Sequence, residues 1–268
     1  MFRHSVPVTL LAAAAIALVT ACGGNAEQPG SRTGQGGSPS ASNGPMDLVY
    51  ISDSSGWQVA DLYATRISKA LGRQVRVTDF ALPALTAVDA LAVVKHNAKK
   101  IVDAEIIVVG GSPRASLAGP ANDACVAPDP AATQPVPKVD SVADLQPFRD
   151  DLDAIYAEIW TLRDGAPVIL RAVDYFVPMI SEYGTAQLKR ACTANYATLS
   201  RVIRATAQAN GATMVSVYDV FNGLNHQADP RTKGYIGDDG THASAKGAAV
   251  IADTLAAAGY ASNTKPTQ

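Results

Sequence analysis

Apolar and polar positions alternate along the chain in short blocks that predict strands and helices in turn. Apolar runs ended by polar residues predict five buried strands, at 46–52, 75–80, 105–109, 167–172 and 212–218. Apolar residues at helical spacing predict helices at 56–71, 88–102, 148–163, 185–210 and 244–258. This alternation implies right-handed crossovers and a parallel sheet covered on both faces. We therefore expect an α/β fold in three layers, α/β/α, around a five-stranded parallel sheet.

A long segment after the third predicted strand, residues 112–140, breaks this pattern. It is rich in proline and shows neither a helical nor a strand period. A loop of this length inside a compact domain is usually functional or disordered. Because it follows a strand, it would lie at the carboxyl edge of the sheet, where it could shape a substrate cleft. With no internal repeat and no second linker, residues 46–260 are predicted to form one domain, and residues 261–268 a disordered tail.

The first 45 residues differ from the rest of the chain. Residues 1–21 contain Arg3, then an apolar run, then small residues directly before Cys22. This is the layout of a secretory signal peptide, and the apolar run is shorter than the roughly 20 residues that span a bilayer. The cysteine after the small residues resembles a bacterial lipobox, which predicts a lipoprotein signal peptide and lipidation of Cys22. The alternative is an ordinary signal peptide with an incidental cysteine.

Residues 22–45 contain mainly Gly, Ser, Asn, Gln and Pro. Such a segment cannot bury enough apolar surface to offset its ordering entropy, so we expect a flexible tether. The chain is therefore predicted to be exported and anchored to the cell membrane, facing outside the cytoplasm. In an exported protein the remaining cysteines, Cys125 and Cys192, favour a disulfide, with two separate buried thiols as the alternative.

The composition narrows the possible partners. Of the 268 residues, 47% are hydrophobic and 17% charged, with a formal net charge of -2, which suits a packed core and argues against nucleic-acid binding. No His, Cys and Asp spacing is typical of a zinc site, so no metal is expected.

A candidate nucleophile lies in the polar turn after the first predicted strand. The turn reads Ser52-Asp53-Ser54-Ser55-Gly56 and leads directly into a helix. A serine there exposes its hydroxyl at the edge of the sheet, near helix N–H groups that favour a developing negative charge. Alone the motif is weak, because Asp and Ser before a helix often act only as caps.

A candidate base lies just before the last predicted helix, where the chain reads DDGTH. A serine hydroxyl needs a base to accept its proton, and a neutral imidazole such as that of His242 suits the task near pH 7. The imidazole needs an acceptor at its other nitrogen, which Asp239 can supply. The alternative is that Asp238 or Asp239 caps the helix and His242 is a surface residue. Of the other histidines, His226 lies in a polar loop and offers less.

Together the two motifs resemble the SGNH, or GDSL-like, serine hydrolase family. SDSSGWQVADLYA is similar to that family's first block and GYIGDDGTHASAKGAAVIADTL closely matches its last, with TDFALPALTAVDAL and EIIVVGGSP in order between them. The resemblance implies a flavodoxin-like, three-layer fold and ester hydrolysis through an acyl-enzyme. It also implies that Ser54 is the nucleophile, His242 the general base and Asp239 its orienting partner.

Three positions depart from the family's pattern. Ser52 stands where the first motif has Gly, Ala84 where the second block has an oxyanion-binding Gly, and Ser112 where the third has Asn. The expected oxyanion hole therefore consists of the backbone N–H groups of Ser54 and Ala84, with Ser112 assisting. Loss of one oxyanion donor costs about 3 kcal/mol, which predicts a slower enzyme or a rebuilt oxyanion hole.

The function predicted from the sequence is hydrolysis of carboxylic esters outside the cytoplasm, without a cofactor. The expected substrates are an ester-containing small molecule, a lipid or an acylated glycan. Acyl transfer to a sugar or polyol is a variant that the triad does not separate from hydrolysis. The rivals are a binding module of the same fold with weakened or lost catalysis, and a purely structural envelope lipoprotein.

Overall fold

A parallel sheet forms the centre of the molecule. The computed structural model describes residues 44–110, 145–182 and 185–267. Within these ranges five strands pair in the order β2-β1-β3-β4-β5, and every pairing is parallel. The strands are β1 (Met46–Ser52), β2 (Val75–Ala81), β3 (Ile106–Gly110), β4 (Ile169–Val173) and β5 (Thr213–Val215). The predicted five-stranded parallel sheet is thus confirmed.

Helices cover both faces of the sheet. They are α1 (Val59–Leu71), α2 (Ala87–His96), α3 (Ala98–Asp103), α4 (Gln146–Leu162), α5 (Ala186–Ala209), α6 (Val217–Asn222) and α7 (Ala245–Ala257). Alternate residues of β1 point to opposite faces, as the strand period requires. Val49 and Ile51 belong to the apolar core shared with α2 to α5, whereas Leu48 and Tyr50 belong to the core shared with α1 and α7. The three-layer α/β/α arrangement is therefore confirmed.

Two predicted elements differ from the observed ones. The helix predicted at 88–102 is divided at Asn97, whose side chain donates to the Val93 carbonyl and whose φ of -110° lies outside the helical range. The strand predicted at 212–218 ends at Val215 and is followed by α6. The helix begins there because the Ser216 side chain accepts the Asp219 N–H as its cap, a contact that an apolar run does not reveal.

The residues after α7 remain attached to the sheet. Asn263 forms an antiparallel bridge with Val168, and its side chain accepts hydrogen bonds from the Leu170 N–H and the Arg171 guanidinium. Arg171 is 1% exposed and also donates to the Gly259 carbonyl. The prediction of disorder from residue 261 onward is therefore wrong at Asn263, because a buried arginine needs these acceptors.

Several predicted features lie outside the described residues. These are the signal peptide, Cys22, most of the tether, the proline-rich segment with Ser112, and Cys125. Cys192 is fully buried in a small cluster with Val177, Ile180 and Tyr218, and its disulfide with Cys125 stays a prediction. Among the described helices, none is long and apolar enough to cross a membrane.

Candidate active site

The turn after β1 presents Ser54 at the carboxyl edge of the sheet. The chain leaves β1 at Ser52 and forms a short 3-10 turn over Ser54–Gly56. The Asp53 carboxylate holds this turn, since it accepts hydrogen bonds from the Ser55 N–H at 2.9 Å and the Ser55 hydroxyl at 2.6 Å. Tyr175, beyond β4, donates its hydroxyl to the other oxygen of Asp53. Ser54 is half-buried, and the cap of the turn is Asp53.

Ser52 occupies space that two glycines leave open. Its side chain is 3% exposed, and a Cβ on either Gly56 or Gly110 would lie 2.7 Å from its hydroxyl oxygen. A side chain at either glycine would therefore collide with Ser52. The serine that departs from the family's first motif is accommodated because glycine stands at both neighbouring positions.

The loop before α7 presents His242 from the other side of the site. An antiparallel bridge joins Ile236 to Ala243, and Ser244 caps α7 by accepting the Gly247 N–H at 3.0 Å. Gly247 is required there, since a Cβ would come within 2.0 Å of the Tyr235 carbonyl oxygen. The loop is thus held at both ends, which fixes the positions of Asp239 and His242.

Ser54, His242 and Asp239 come together in one hydrogen-bonded chain. His242 Nε2 lies 3.0 Å from Ser54 Oγ, and His242 Nδ1 lies 2.7 Å from Asp239 Oδ2. A carboxylate can only accept, so this network assigns the ring proton to Nδ1 and leaves Nε2 free to accept the serine proton. The three residues singled out from the sequence therefore have the geometry of a Ser-His-Asp triad.

Hydrogen bonds from its own loop keep Asp239 ionised. The Thr241 N–H at 2.9 Å, the His242 N–H at 3.0 Å and then the His242 ring lower the pKa of Asp239 to about 2. The bonds favour the charged form, so the carboxylate stays negative wherever the imidazole has to carry a positive charge. The helix-cap alternative for Asp239 does not hold, because Ser244 is the cap of α7.

The loop after β2 contains the second predicted oxyanion donor. The Leu82 N–H donates to the Ser52 carbonyl at 3.0 Å, which ties the start of this loop to the end of β1. Ala84 follows with a φ of 56°, in the left-handed region that disfavours a side chain by roughly 1–2 kcal/mol. This left-handed conformation suits glycine, the residue that the SGNH family has at the position of Ala84. The oxyanion role of Ala84 stays a prediction, as does that of Ser112.

Trp57 contacts the candidate base directly. Its indole stacks on the His242 ring, with centroids 4.7 Å apart and an interplanar angle of 21°. The indole N–H donates to the Ala81 carbonyl at 3.0 Å, and the side chain stays 38% exposed. The sequence pattern suggests only that this aromatic residue, near the nucleophile, could line the cleft or belong to the core.

Asp174 was missed by the sequence argument. It is 4% exposed and accepts hydrogen bonds from Ser200 Oγ at 2.5 Å, Ser216 Oγ at 2.9 Å and the Val217 N–H at 2.6 Å. Burial raises the pKa of its carboxyl, although these bonds oppose the shift. It holds the start of α6 against β4, directly before Tyr175. The only signal in the sequence is its place after a predicted strand.

Metal ligands are not clustered in this part of the molecule. Over the ranges that the structure describes, no group of three His, Cys, Asp or Glu side chains is placed to hold a metal ion.

Solved structures of ester hydrolases have a similar fold. A lipase from a goat rumen metagenome superposes with a TM-score of 0.60 at 17% identity, over 80% of this chain and 98% of the lipase. A catalytic mutant of an acetylxylan esterase from Geobacillus stearothermophilus gives 0.53 at 14% identity, over 80% and 94%. A lipase/acylhydrolase from Enterococcus faecalis gives 0.51 at 18% identity, over 83% and 99%.

The chain has the fold of these hydrolases. The three-layer α/β fold with a five-stranded parallel sheet that the sequence predicts is thereby confirmed. No protein-family model and no curated protein sequence matches the chain. At such low identity the likeness establishes the fold but not the roles of single residues.

Proposed function

We propose that this chain is a serine hydrolase that cleaves carboxylic esters. The observation that carries the proposal is the continuous chain from Ser54 Oγ through the His242 ring to the Asp239 carboxylate, with links of 3.0 and 2.7 Å. A hydroxyl bonded to the free nitrogen of an oriented imidazole is the arrangement that activates a serine. The fold shared with lipases and an acetylxylan esterase supports ester hydrolysis as the reaction class.

The proposed reaction has two halves. Ser54 Oγ attacks the ester carbonyl carbon while its proton moves to His242 Nε2, and the carbonyl oxygen becomes an oxyanion. The C–O bond to the alcohol then breaks, and the alcohol leaves with the proton from Nε2. In the second half a water molecule gives a proton to Nε2 and attacks the acyl carbon. The bond from that carbon to Ser54 Oγ then breaks, and Nε2 returns the proton to Oγ as the acid leaves.

Each side chain of the triad has a distinct electrostatic task. During both transfers the imidazole carries a positive charge, and Asp239 faces it as a carboxylate whose pKa is about 2. The oxyanion would accept hydrogen bonds from the backbone N–H groups of Ser54 and Ala84, with Ser112 assisting. Since the Ser54 N–H lies at the start of the 3-10 turn, the nucleophile and one donor come from the same residue.

The test is hydrolysis of short and medium p-nitrophenyl esters by the protein and its Ser54→Ala and His242→Ala variants. Ser68→Ala and His96→Ala are matched controls, because Ser68 lies on α1 and His96 is exposed on α2, bonded to the Ala92 carbonyl. We expect turnover to disappear in the first pair and to persist in the second. Equal turnover in all four variants would contradict the proposal.

A phosphonate probe separates hydrolase from binding module. An organophosphonate ester should label the protein once, and mass spectrometry should locate the adduct on Ser54. If neither labelling nor turnover occurs, the site lacks a working nucleophile and the binding-module alternative is favoured. Adding glycerol during turnover and measuring glycerol ester against free acid distinguishes acyl transfer from hydrolysis.

Export and lipid attachment form a separate proposal. The small residues before Cys22 and the polar segment that follows support a lipidated, membrane-anchored protein facing outside the cytoplasm. In cells fed a labelled fatty acid, the full chain should carry label and sediment with membranes. The Cys22→Ala variant should lose both properties. An unlabelled protein that still sediments would contradict lipidation.

A further inference from the structure

The indole of Trp57 and the hydroxyl of Ser54 approach the same imidazole in different directions. Ser54 contacts the Nε2 atom of His242 at 3.0 Å, in hydrogen-bonding position, whereas Trp57 stacks on the ring face at 4.7 Å between centroids. The indole is held in place by its N–H bond to the Ala81 carbonyl, in the last residue of β2. A stack anchored to the sheet restricts how the imidazole can rotate about its own bonds.

The charge on the imidazole changes during the proposed reaction. It is neutral while it waits for the serine proton and positive once it has taken it. The face of an indole attracts a cation more strongly than a neutral ring, and tryptophan is the strongest of the aromatic residues in this respect. Such an interaction is tighter in the transition state than in the ground state, so it accelerates the chemical step.

We propose that Trp57 is a positioning residue for His242, which keeps the ring aligned with Ser54 and stabilises the imidazolium while it holds the serine proton. The inference rests on the proposed function, because it assigns a role in that proton transfer. No proton or electron passes to the indole: the proton goes from Ser54 Oγ to Nε2 and from there to the leaving alcohol. Trp57 thus acts from the ring face and Asp239 from the ring edge.

Two substitutions distinguish the effect of the π face of Trp57 from that of its size. Trp57→Leu keeps an apolar side chain but has no π face, and Trp57→Phe keeps a π face but loses the N–H bond to Ala81. In Trp57→Leu we expect kcat/KM on a p-nitrophenyl ester to fall about two- to fivefold, the worth of one exposed cation–π contact. The fall should lie in kcat with KM little changed, and Trp57→Phe should come closer to the unsubstituted protein.

The pH profile distinguishes this role from a structural one. Without the indole the imidazolium is less stable, so the acidic limb of the kcat/KM profile should move to lower pH by roughly half a unit, the same factor expressed on the pH scale. A variant that unfolds at lower temperature but keeps its acidic limb unmoved would show that Trp57 only supports the fold. That outcome would overturn the proposal.

Tryptophan fluorescence tests the contact without any turnover. A protonated imidazole quenches an indole stacked on it, and the chain has 2 tryptophans, so Trp57→Phe leaves Trp160 as the reference. The emission that Trp57→Phe removes should fall as the pH is lowered, in the unsubstituted protein and in Ser54→Ala, and should not respond in His242→Asn.

The two readouts separate the failure of this inference from the failure of the proposed function. An active esterase without pH-dependent quenching has no stack in solution, and this overturns the role of Trp57 alone. Quenching in a protein that neither turns over esters nor reacts with the phosphonate overturns the hydrolase proposal, and with it any role of Trp57 in proton transfer.

Discussion

Two histidines in this molecule have almost the same surroundings. His242 bonds to Asp239 at 2.7 Å and stacks on Trp57, while His226 bonds to Asp219 at 2.8 Å and stacks on Tyr218 with centroids 3.8 Å apart. Each therefore has a carboxylate at one nitrogen and an aromatic ring on its face.

The two sites differ in their third partner and in what the carboxylate does. At the first, the remaining ring nitrogen meets the Ser54 hydroxyl. At the second, the Asp219 carboxylate is shared with Arg204 at 3.6 Å and lies in the first turn of α6. A His–Asp pair under an aromatic ring is thus not itself a catalytic device. The His242–Asp239 pair can act in catalysis because the other ring nitrogen contacts a hydroxyl. The His226–Asp219 pair instead ties a loop to α6.

The largest expected effect comes from substituting the two histidines in turn. His242→Asn removes the proton acceptor, so kcat should fall at least about a thousandfold. His226→Asn should leave kcat within twofold, because His226 bonds to Asp219 and stacks on Tyr218, neither of which belongs to the triad. The measurement is kcat on a p-nitrophenyl ester, with circular dichroism to verify folding. Comparable losses in both variants would show that the second pair also acts in the reaction.

The next effect compares the two carboxylates. Asp239→Asn removes the charge that faces the imidazolium and should lower kcat by about a hundredfold or more, with little change in KM. Asp219→Asn should lower the free energy of unfolding by about 1 kcal/mol, since its bonds to His226 and Arg204 are partly exposed, and should leave kcat unchanged. Urea unfolding and steady-state kinetics on both variants give the comparison. An activity loss confined to Asp219→Asn would reverse it.

A smaller effect concerns the two aromatic rings. Tyr218 is fully buried, and its hydroxyl donates to the Thr193 carbonyl at 3.0 Å. Tyr218→Phe keeps the ring on His226 and should cost about 1 kcal/mol of unfolding free energy with no change in the pH profile of kcat/KM. Trp57 is the opposite case, where the pH profile moves. A shifted profile in Tyr218→Phe would mean that the two regions communicate.

The smallest effect is a pH dependence of stability. The folded-state pKa of Asp239 is lowered to about 2, below its ordinary value near 3.8, so its stabilising contribution is present above about pH 4 and is lost as the pH falls towards 2. The difference in unfolding free energy between the protein and Asp239→Asn should therefore shrink over that interval. Denaturant unfolding at pH 5, 4, 3 and 2 measures it. A difference that stays constant would argue against the hydrogen bonds from Thr241 and His242 as its cause.

The apolar pattern of the sequence predicts those parts of the fold that depend on residues close together in the chain. The strands and the long helices were predicted from apolar periodicity, because each buries one face or stripe in a core. The motif around Ser54 and the DGTH sequence predicted three residues that the structure brings into contact, although 188 positions separate Ser54 from His242. A parallel sheet makes this possible, since the ends of its strands meet at one edge.

The remaining contacts depend on partners that are distant in the sequence. Tyr175 bonds to Asp53 across 122 positions, and no pattern near either residue announces it. The start of α6 is hidden in the sequence because Val217 and Tyr218 extend an apolar run, while the acceptor for their N–H groups, Asp174, lies directly after β4. The stack of Trp57 on His242 is equally long-range. Such features follow from topology and become visible only when the sheet is assembled.

The buried arginine of β4 has a consequence for the order in which the protein is made. Synthesis proceeds from the N-terminus, and Arg171 is complete long before Asn263, 92 positions later, supplies one of its acceptors. Until then the guanidinium on β4, the strand next to the edge strand β5, lacks an acceptor that it needs when buried, so β4 cannot take its final buried position. We therefore expect folding of this domain to finish only after Asn263 has left the ribosome. An expression fragment cut at Tyr260 would leave the same charge without two of its acceptors, the Asn263 side chain and the Ala261 carbonyl.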